Sequence, residues 1–573
     1  MRRAFLFGLL WTVACGDPLL VGAPEDAGAS EAPEPEPAPE PAPRAEPAPE
    51  PSANAAPAPP PPDPEAEARA RAEAARAAFE ARFPNHGVTY HFLARVRGRP
   101  HHEGPIVGYM RRGSRFRASE RVPGVGCARG WFEVPGGGFV CRGEGFKIGA
   151  EPQTFEPAPQ PPALEGALPY SYAYAARDDV AQFWRLPSEA EESEVAEAFA
   201  QLRRAAEAEA EALSPNPDAG VPAPPASEDE SEGAPSDEAT ADEADDEATE
   251  DDAPEAAASA AEAEAPPPPG TEGNEGEESA PADAAPDPSL VAAARGELTV
   301  PDYVRLRMRR GFYVSLDGEE RDGGRAFYRT VRGAYVRSDT LIPSEPPTHR
   351  GVVLGGPWQL PVGFVFRGGT HRLRRVAATN RLRDVGRFER QTPVVVADRL
   401  MRGSREYLVT RDGDVVRRSS VRLAEPEPRP EEIGEDERWV HIDLGEQMLV
   451  AYEGDQPVFA TLVSTGREGY ETPVGVYRIR SKHVSTTMDD LNAGEESYLI
   501  EDVPWTMYFE GNYALHAAFW HHGFGRVRSH GCVNLAPADA RWIFQWTGPT
   551  LPASWHGVFS DGERPGTWIV VTE

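Results

Sequence analysis

Short runs in which apolar and polar residues alternate recur along much of the chain and predict a mostly β fold. The clearest pair lies near the C-terminus, where residues 439–444 and 447–452 flank Gly445 and Glu446. Two alternating runs joined by a glycine-containing turn are typical of a β-hairpin. Further strands are predicted at residues 458–464 and 475–480. We therefore expect residues 433–573 to form one mostly β domain.

Three further pairs of short aromatic runs lie upstream of this domain. They are residues 130–134 with 138–141, 325–329 with 333–337, and 407–410 with 414–416. This weak repeat resembles the small bacterial SH3-like barrels that commonly accompany cell-wall enzymes, although any β region with aromatic strands could show it. The resemblance implies SH3-like modules within residues 65–185 and 297–430.

Helices and linkers occupy the remaining parts of the chain. Residues 65–83, 188–213 and 536–546 lack interior helix breakers, and Pro537 opens the last of these predicted helices. The Pro-, Ala- and Glu-rich residues 16–64 predict an extended, disordered linker. Residues 186–296 are expected to contain the second helix followed by a disordered acidic insert, which interrupts one β domain.

The formal net charge of −35 comes mainly from that acidic insert. Residues 214–294 contain 24 Asp and Glu and no Lys or Arg. Such a segment is expected to be a solvated tether rather than a binding face. No segment combines a basic patch with interleaved aromatic residues, so nucleic acid is not an expected partner.

The N-terminus predicts export from a bacterial cell. Two arginines precede a mostly apolar run at residues 4–13, which is shorter than the roughly 20 residues of a membrane span and is typical of a signal peptide. Residues 12–15 resemble the lipidation box of bacterial lipoproteins, with Thr12 where that family usually has Leu. The resemblance implies a signal peptide at residues 1–15 and an acylated Cys15 that anchors the protein to the outer or inner membrane. Ordinary secretion with loss of Cys15 is the alternative.

Cysteine usage singles out one thiol. Besides Cys15, the chain has Cys127 and Cys141, which are 14 residues apart and are expected to form one disulfide in an exported protein. Cys532 is then left unpaired in an oxidising compartment, which requires an explanation.

The surroundings of Cys532 supply that explanation. The residue lies in the sequence Ser-His-Gly-Cys-Val-Asn directly before the last predicted helix, and His516 lies 16 residues upstream on a predicted strand. A thiol is nucleophilic only as the thiolate, and a nearby imidazole or helix N-terminus lowers its pKa. The backbone N–H groups of Gly531 and Cys532 are expected to stabilise an oxyanion.

This motif resembles the signature of YkuD-type L,D-transpeptidases, and residues 472–477 resemble the family's strand–turn entry. The resemblance covers roughly the last quarter of the chain and implies a β-sandwich with a short helix after the catalytic cysteine. Cys532 would be the nucleophile, His516 the general base, and the carbonyl of Ala517 the group that orients the imidazole. The oxyanion side and site loop would comprise Ser529, His530, Gly531 and Asn534.

The resemblance also implies the reaction. Family members attack the L-centre carbonyl of diaminopimelate in a peptidoglycan stem peptide, expel D-alanine and pass the acyl group to an amine, which forms cross-links in cell-wall biogenesis. No cofactor and no metal are expected. The sequence leaves water or a protein lysine open as the acceptor, and a lipid-anchored envelope-binding scaffold is the alternative of a different class.

Several aromatic and histidine residues near the motif allow two interpretations. Tyr508 and Trp520 could wall a substrate groove, as could Trp505 and Met507, although ordinary strand packing is the slightly favoured interpretation of Trp505, Met507 and Tyr508. Residues 519–524 form either a loop at the cleft rim or a solvated turn. His521 and His522 invite a comparison with metal sites, but their spacing fits no zinc pattern.

Overall fold

A computed structural model describes residues 64–154, 159–213, 300–490 and 498–573 of the protein. The fold is mostly β, as predicted, and the α-helices of the described residues are α1 (Pro64–Arg82), α2 (Glu189–Leu213) and α3 (Pro537–Trp546). Each helix bound lies within one residue of the predicted one. The predicted signal peptide with Cys15, the predicted linker up to residue 63 and the acidic insert lie outside the described residues. Within the described ranges, no helix has the length and apolar character needed to cross a bilayer.

The first β module follows α1. Its strands are β1 (Asn85–Thr89), β2 (Leu93–Arg97), β3 (Ile106–Arg111), β4 (Arg115–Ala118), β5 (Arg121–Val122), β6 (Trp131–Val134), β7 (Gly138–Cys141) and β8 (Phe146–Gly149). The predicted hairpin of residues 130–141 is β6 paired with β7, and Cys127 forms a disulfide with Cys141 in β7. Buried apolar residues of the module form one core, which also takes up Trp555 and Val558 of the C-terminal domain.

The second module surrounds the acidic insert. Its strands are β9 (Ser171–Ala175), β10 (Val180–Phe183), β11 (Val304–Met308), β12 (Tyr313–Asp322), β13 (Arg325–Thr330), β14 (Tyr335–Arg337) and β15 (Leu341–Pro343). Strand β10, before the insert, pairs with β11 and β14, which follow it. Helix α2 packs Phe199 against Phe183 and Val304. The elements on the two sides of the insert therefore share one sheet and one core.

The third module repeats part of the second. Its strands are β16 (Val352–Val353), β17 (Val362–Val365), β18 (His371–Val376), β19 (Arg381–Arg387), β20 (Thr392–Arg402), β21 (Arg405–Thr410), β22 (Asp414–Arg417) and β23 (Val421–Ala424). Both β14 and β22 lead through a 3-10 turn into a short closing strand. In both hairpins a threonine hydroxyl accepts the N–H four residues ahead, at 3.1 Å from Ala334 N to Thr330 Oγ1 and from Asp414 N to Thr410 Oγ1.

The C-terminal domain consists of two sheets that share one strand. Its strands are β24 (Arg438–Asp443), β25 (Met448–Glu453), β26 (Gln456–Ser464), β27 (Gly475–Arg478), β28 (Ser481–Asp489), β29 (Leu499–Glu510), β30 (Tyr513–Ala517), β31 (Val533–Leu535), β32 (Gly557–Phe559) and β33 (Trp568–Thr572). One sheet runs β27–β33–β24–β25–β26, and the other runs β32–β28–β29–β30–β31–β26. Apolar side chains of both sheets and of α3 fill the core between them.

Strand pairs join every upstream module to this domain. Gly108 of β3 pairs with Val558, Tyr313 of β12 with Ile500, and Val352 of β16 with Ala460. The domain boundaries drawn from the sequence stay predictions, but the boundary at residue 433 is crossed by backbone pairing in three places.

A buried ion pair reinforces these joins. Arg111 of β3 and Asp502 of β29 have side chains that are 5% and 2% exposed, and the guanidinium contacts both carboxylate oxygens at 2.6 and 3.0 Å. Ser485 and Ser315 donate to the same carboxylate at 3.0 and 2.5 Å. Burial alone would raise the pKa of Asp502, but Arg111, Arg332 and the Ser315 hydroxyl hold it well below its usual value. Arg111 therefore links the first module, the second module and the C-terminal domain.

Replacing Arg111 by Ala should lower the free energy of unfolding by about 3–5 kcal/mol, because it leaves the carboxylate of Asp502 buried without its cation. Urea denaturation followed by tryptophan fluorescence measures this change. Arg95→Ala is the matched control, since Arg95 lies on neighbouring β2 and is exposed. Equal unfolding midpoints for the two variants would show that the pair does not hold the modules together.

Candidate active site

Two adjacent parallel strands bring His516 and Cys532 into one region. Strand β30 carries His516 and pairs with β31, which begins directly after Cys532, so that His516 lies opposite Asn534. Helix α3 begins only at Pro537. The helix thus begins within one residue of its predicted start at residue 536, and β31 together with Ala536 lies between Cys532 and the helix.

His516 is a buried, neutral base. Its side chain is almost fully enclosed, and Nδ1 donates to the carbonyl oxygen of Ala517 at 3.2 Å, as the resemblance implied. This bond leaves the lone pair on Nε2. Burial lowers the pKa of His516 to about 4, although the Ala517 carbonyl opposes the shift. The ring of Trp520 stacks on the imidazole with centroids 5.7 Å apart.

Cys532 is a half-buried free thiol. Its Sγ lies 3.7 Å from the carbonyl oxygen of Asn512. Burial raises the pKa of Cys532 to about 11, against a smaller lowering by the backbone of Ala514. The lowered pKa expected from the sequence is wrong for this state, because burial disfavours the charged thiolate of Cys532. At neutral pH the site holds a thiol and an imidazole, not an ion pair.

The loop before Cys532 is fixed by short polar contacts. Ser529 Oγ donates to the Cys532 carbonyl at 2.5 Å and accepts the Gly531 N–H at 3.1 Å. Thr472 Oγ1 donates to the Gly531 carbonyl at 2.8 Å. Gly531 has φ +108°, and a Cβ there would lie 2.4 Å from the Tyr513 ring, so both backbone and space require glycine. The Gly531 N–H, expected to face an oxyanion, is bonded to Ser529 in this state.

Asn534 and His521 contact each other behind the site. The Asn534 side-chain amide lies 3.0 Å from His521 Nε2, while the N–H of Gly523 donates to Nδ1 at 3.2 Å. Burial, the largest cause, lowers the pKa of His521 to about 3. Asn534 thus supports His521 rather than the loop of residues 529–532. Across the part of the chain that the structure describes, His, Cys, Asp and Glu form no cluster of three or more able to hold a metal.

Tyrosines line the approach to the thiol. Tyr498 and Tyr508 are half-buried, and the pKa of each is raised to about 12, first by burial and then by the charge Cys532 would carry as a thiolate. The exposed ring of His530 stacks on Tyr498 with centroids 5.4 Å apart and meets Arg467 Nη2 at 3.0 Å. His530 therefore lies at the entrance.

The remaining aromatic candidates divide between the entrance and the core. Trp505 and Met507 are fully buried in the core, so strand packing explains them. Phe519 and Phe524 are buried as well, whereas His522 is exposed. Sequence analysis missed Tyr498 and Tyr513, for which no motif gave a signal. Thr472 lies within the recognised residues 472–477.

The fold and these side chains define a mostly β domain in which a free cysteine directly precedes the strand that pairs with the strand of a buried histidine. Residues 437–571 match the family model of the YkuD L,D-transpeptidase catalytic domain. The C-terminal part of the chain is thus a YkuD L,D-transpeptidase catalytic domain.

Solved structures with similarity to the chain include L,D-transpeptidases from three organisms. That of Stackebrandtia nassauensis has 23% identity and a TM-score of 0.18, and the match covers 24% of this chain and 57% of that one. The Enterococcus faecium enzyme has 18% identity and a TM-score of 0.20, and the match covers 26% of this chain and 55% of that one. The Mycobacterium smegmatis enzyme has 16% identity and a TM-score of 0.20, and the match covers 40% of this chain and 94% of that one. The chain spans a little over half the length of the first two. Comparison with curated proteins found no match.

Alkylation of Cys532 by iodoacetamide should be slow at pH 7–8 and should accelerate as the pH rises through about 9–11, because only the thiolate reacts and burial raises the pKa to about 11. Peptide mapping by mass spectrometry gives the rate at this cysteine. The same protein in urea is the control, since the unfolded thiol should react with an ordinary pKa of about 8.5. Equal pH profiles for folded and unfolded protein would contradict the burial argument.

Proposed function

We propose that the C-terminal domain cross-links peptidoglycan stem peptides through a thioester on Cys532. The observation that carries this proposal is the pairing of β30 with β31, which places the histidine strand beside the cysteine while Ala517 holds Nδ1 of His516. A buried base with a free Nε2, on the strand that pairs with the strand directly after an unpaired thiol, is suited to nucleophilic acyl transfer.

In the proposed reaction His516 Nε2 takes the thiol proton as Sγ attacks the L-centre carbonyl of diaminopimelate. The new C–S bond converts the carbonyl oxygen into an oxyanion, which the Cys532 and Gly531 amides would stabilise once Gly531 turns from Ser529. Collapse breaks the C–N bond, and the protonated imidazole returns its proton to the departing D-alanine amine. An acceptor amine then attacks the thioester, and Sγ leaves with a proton.

The site's neutral resting state suits this sequence of proton transfers. Because both partners are uncharged near pH 7, proton transfer accompanies attack instead of preceding it. Tyr498, Tyr508 and Trp520 would wall the groove for the stem peptide, and their half-buried rings leave an apolar surface beside the thiol.

The upstream modules and the N-terminus complete the proposal. The repeated order of hairpin, 3-10 turn and closing strand supports SH3-like modules that accompany a cell-wall enzyme. A periplasmic location follows from the substrate, and acylation of Cys15 would hold the protein at a membrane. Cys15 lies outside the described residues.

The product test uses the full mature chain, because three upstream strands pair with the catalytic domain. Incubation with disaccharide-tetrapeptide should yield a cross-linked dimer and free D-alanine by mass spectrometry, and Cys532→Ala should yield neither. Tripeptide without dimer would identify water as the acceptor and refute cross-linking. Unchanged substrate with the intact chain would refute both activities on this donor.

Acylation of Cys532 by a carbapenem should depend on pH through His516. The rate constant should stay nearly flat from about pH 6 to 8 and fall about tenfold per unit below about pH 4, where the imidazole becomes protonated and loses its lone pair. His516→Gln should slow acylation by ~10²–10⁴-fold at pH 7. Intact mass spectrometry against time measures both rates. A bell-shaped profile centred near neutrality would instead indicate a preformed thiolate–imidazolium pair.

A further inference from the structure

The third β module carries a charge opposite to that of the chain. Residues 362–424 contain 15 arginines and only six acidic residues, in a protein whose net charge is −35. The catalytic proposal uses none of these arginines. So many arginines in one small module favour binding to a partner of opposite charge.

The arginines concentrate on the hairpin of β18 and β19, which we call the arginine hairpin. Its register places Arg374 directly opposite Arg383 and Val376 opposite Arg381. Cross-strand partners share a face, and residues two apart on a strand do so as well. Arg374, Arg381 and Arg383 thus lie on one exposed face. Like charges directly opposite each other destabilise a hairpin unless an anion lies near them.

Carboxylates of the module satisfy only part of this charge. Buried Asp414 accepts from Arg372 at 2.6 Å and from Arg374 at 2.8 Å. Asp384 accepts from Arg387 at 2.8 Å. Among residues 64–154, 159–213, 300–490 and 498–573, no side-chain hydrogen bond or ion pair engages Arg375, Arg381 or Arg383.

A second hairpin extends the basic surface. Arg402, at the end of β20, donates to the carbonyl and side-chain oxygens of Asn380 at 2.6 and 3.0 Å, in the turn between β18 and β19. This contact brings the tips of both hairpins together. Arg405, which is exposed, begins the returning strand β21 beside Arg402. The result is a broad cationic surface of exposed arginines.

We propose that the acidic insert of this same chain, residues 214–294, docks on the arginine hairpin. The insert supplies 24 carboxylates, most of them between residues 228 and 278, and no lysine or arginine, so its charge is opposite to that of the surface. Because the acidic insert and the arginine hairpin belong to the same chain, the insert competes for the surface at a high effective concentration. The insert is then a masking segment rather than only a spacer.

The contact is electrostatic and responds to salt. Exposed charge pairs are screened beyond roughly 30 Å at 0.01 M salt and roughly 8 Å at 0.15 M. Docking should therefore be strong in dilute buffer and weaken as salt is added. The proposal does not depend on the catalytic function, because neither the arginine hairpin nor the insert contains Cys532 or His516.

Binding of a fluorescein-labelled peptide of residues 226–252 tests the proposal by fluorescence anisotropy. The intact chain is compared with a chain in which a Gly/Ser linker replaces residues 214–294. We expect the peptide to bind the shortened chain about tenfold or more tightly than the intact chain, since the intact chain's own insert occupies the surface. Adding about 150 mM NaCl should weaken binding to the shortened chain.

Charge reversal locates the binding surface. In the shortened chain, Arg381→Glu with Arg383→Glu should abolish peptide binding, and the milder Gln pair should weaken it. The matched control is Arg95→Glu with Arg99→Glu, two exposed arginines of the first module, which should leave binding unchanged. Circular dichroism melts verify that each variant is folded.

Three results would overturn the proposal: equal peptide affinity of the intact and shortened chains, equal losses in the test and control pairs, or binding insensitive to salt. Polyphosphate provides an external polyanion for comparison. If it binds the intact chain as tightly as the shortened chain, the insert does not cover the surface, and an external anion is the occupant.

Discussion

The bidentate contact between Arg111 and Asp502 is the interaction on which the rest of the structure depends. Asp502 and Trp505 have φ of +57° and +55°, a region that costs non-glycine residues about 1–3 kcal/mol each. Upstream residues hold this backbone: Tyr172 donates to the Asp502 carbonyl at 2.7 Å, and Trp505 Nε1 donates to the Ala167 carbonyl at 2.6 Å. Since β29 continues into the strand of His516, the upstream modules help to set the position of the base.

Burial determines the chemical state of the candidate site. It favours the uncharged form of both residues, so it lowers the pKa of His516 and raises the pKa of Cys532. With these pKa values an imidazolium–thiolate pair does not form near neutral pH. In the proposed reaction, a neutral pair would keep the thiol unreactive toward solvent oxidants and small electrophiles until a bound carbonyl offers a better target. The tight fit of Gly531 against Tyr513 and the bond from Ser529 keep the loop in one arrangement during that time.

Local pattern predicted most strands and helices of the fold, and the motif around Cys532 located the candidate site. The family resemblance implied the role of the Ala517 carbonyl, and the alanine did not count against it, because a backbone group needs no particular side chain. The joins between modules could not be predicted, since partners such as Arg111 and Asp502 are far apart in sequence and only the packed sheets bring them together. For the same reason the sequence missed Tyr498 and misjudged the pKa of Cys532, which depends on how deeply the neighbouring strands enclose it.

The pairing of β10 with β11 affects how the length of the insert between them can evolve. The described elements on the two sides of the insert share one sheet and meet in one core through Phe199 and Val304. The entropic cost of closing a loop rises only by about 0.6 kcal/mol when its length doubles. Insertions and deletions there should therefore be nearly neutral for folding, so that the length of the segment can drift while its charge is kept.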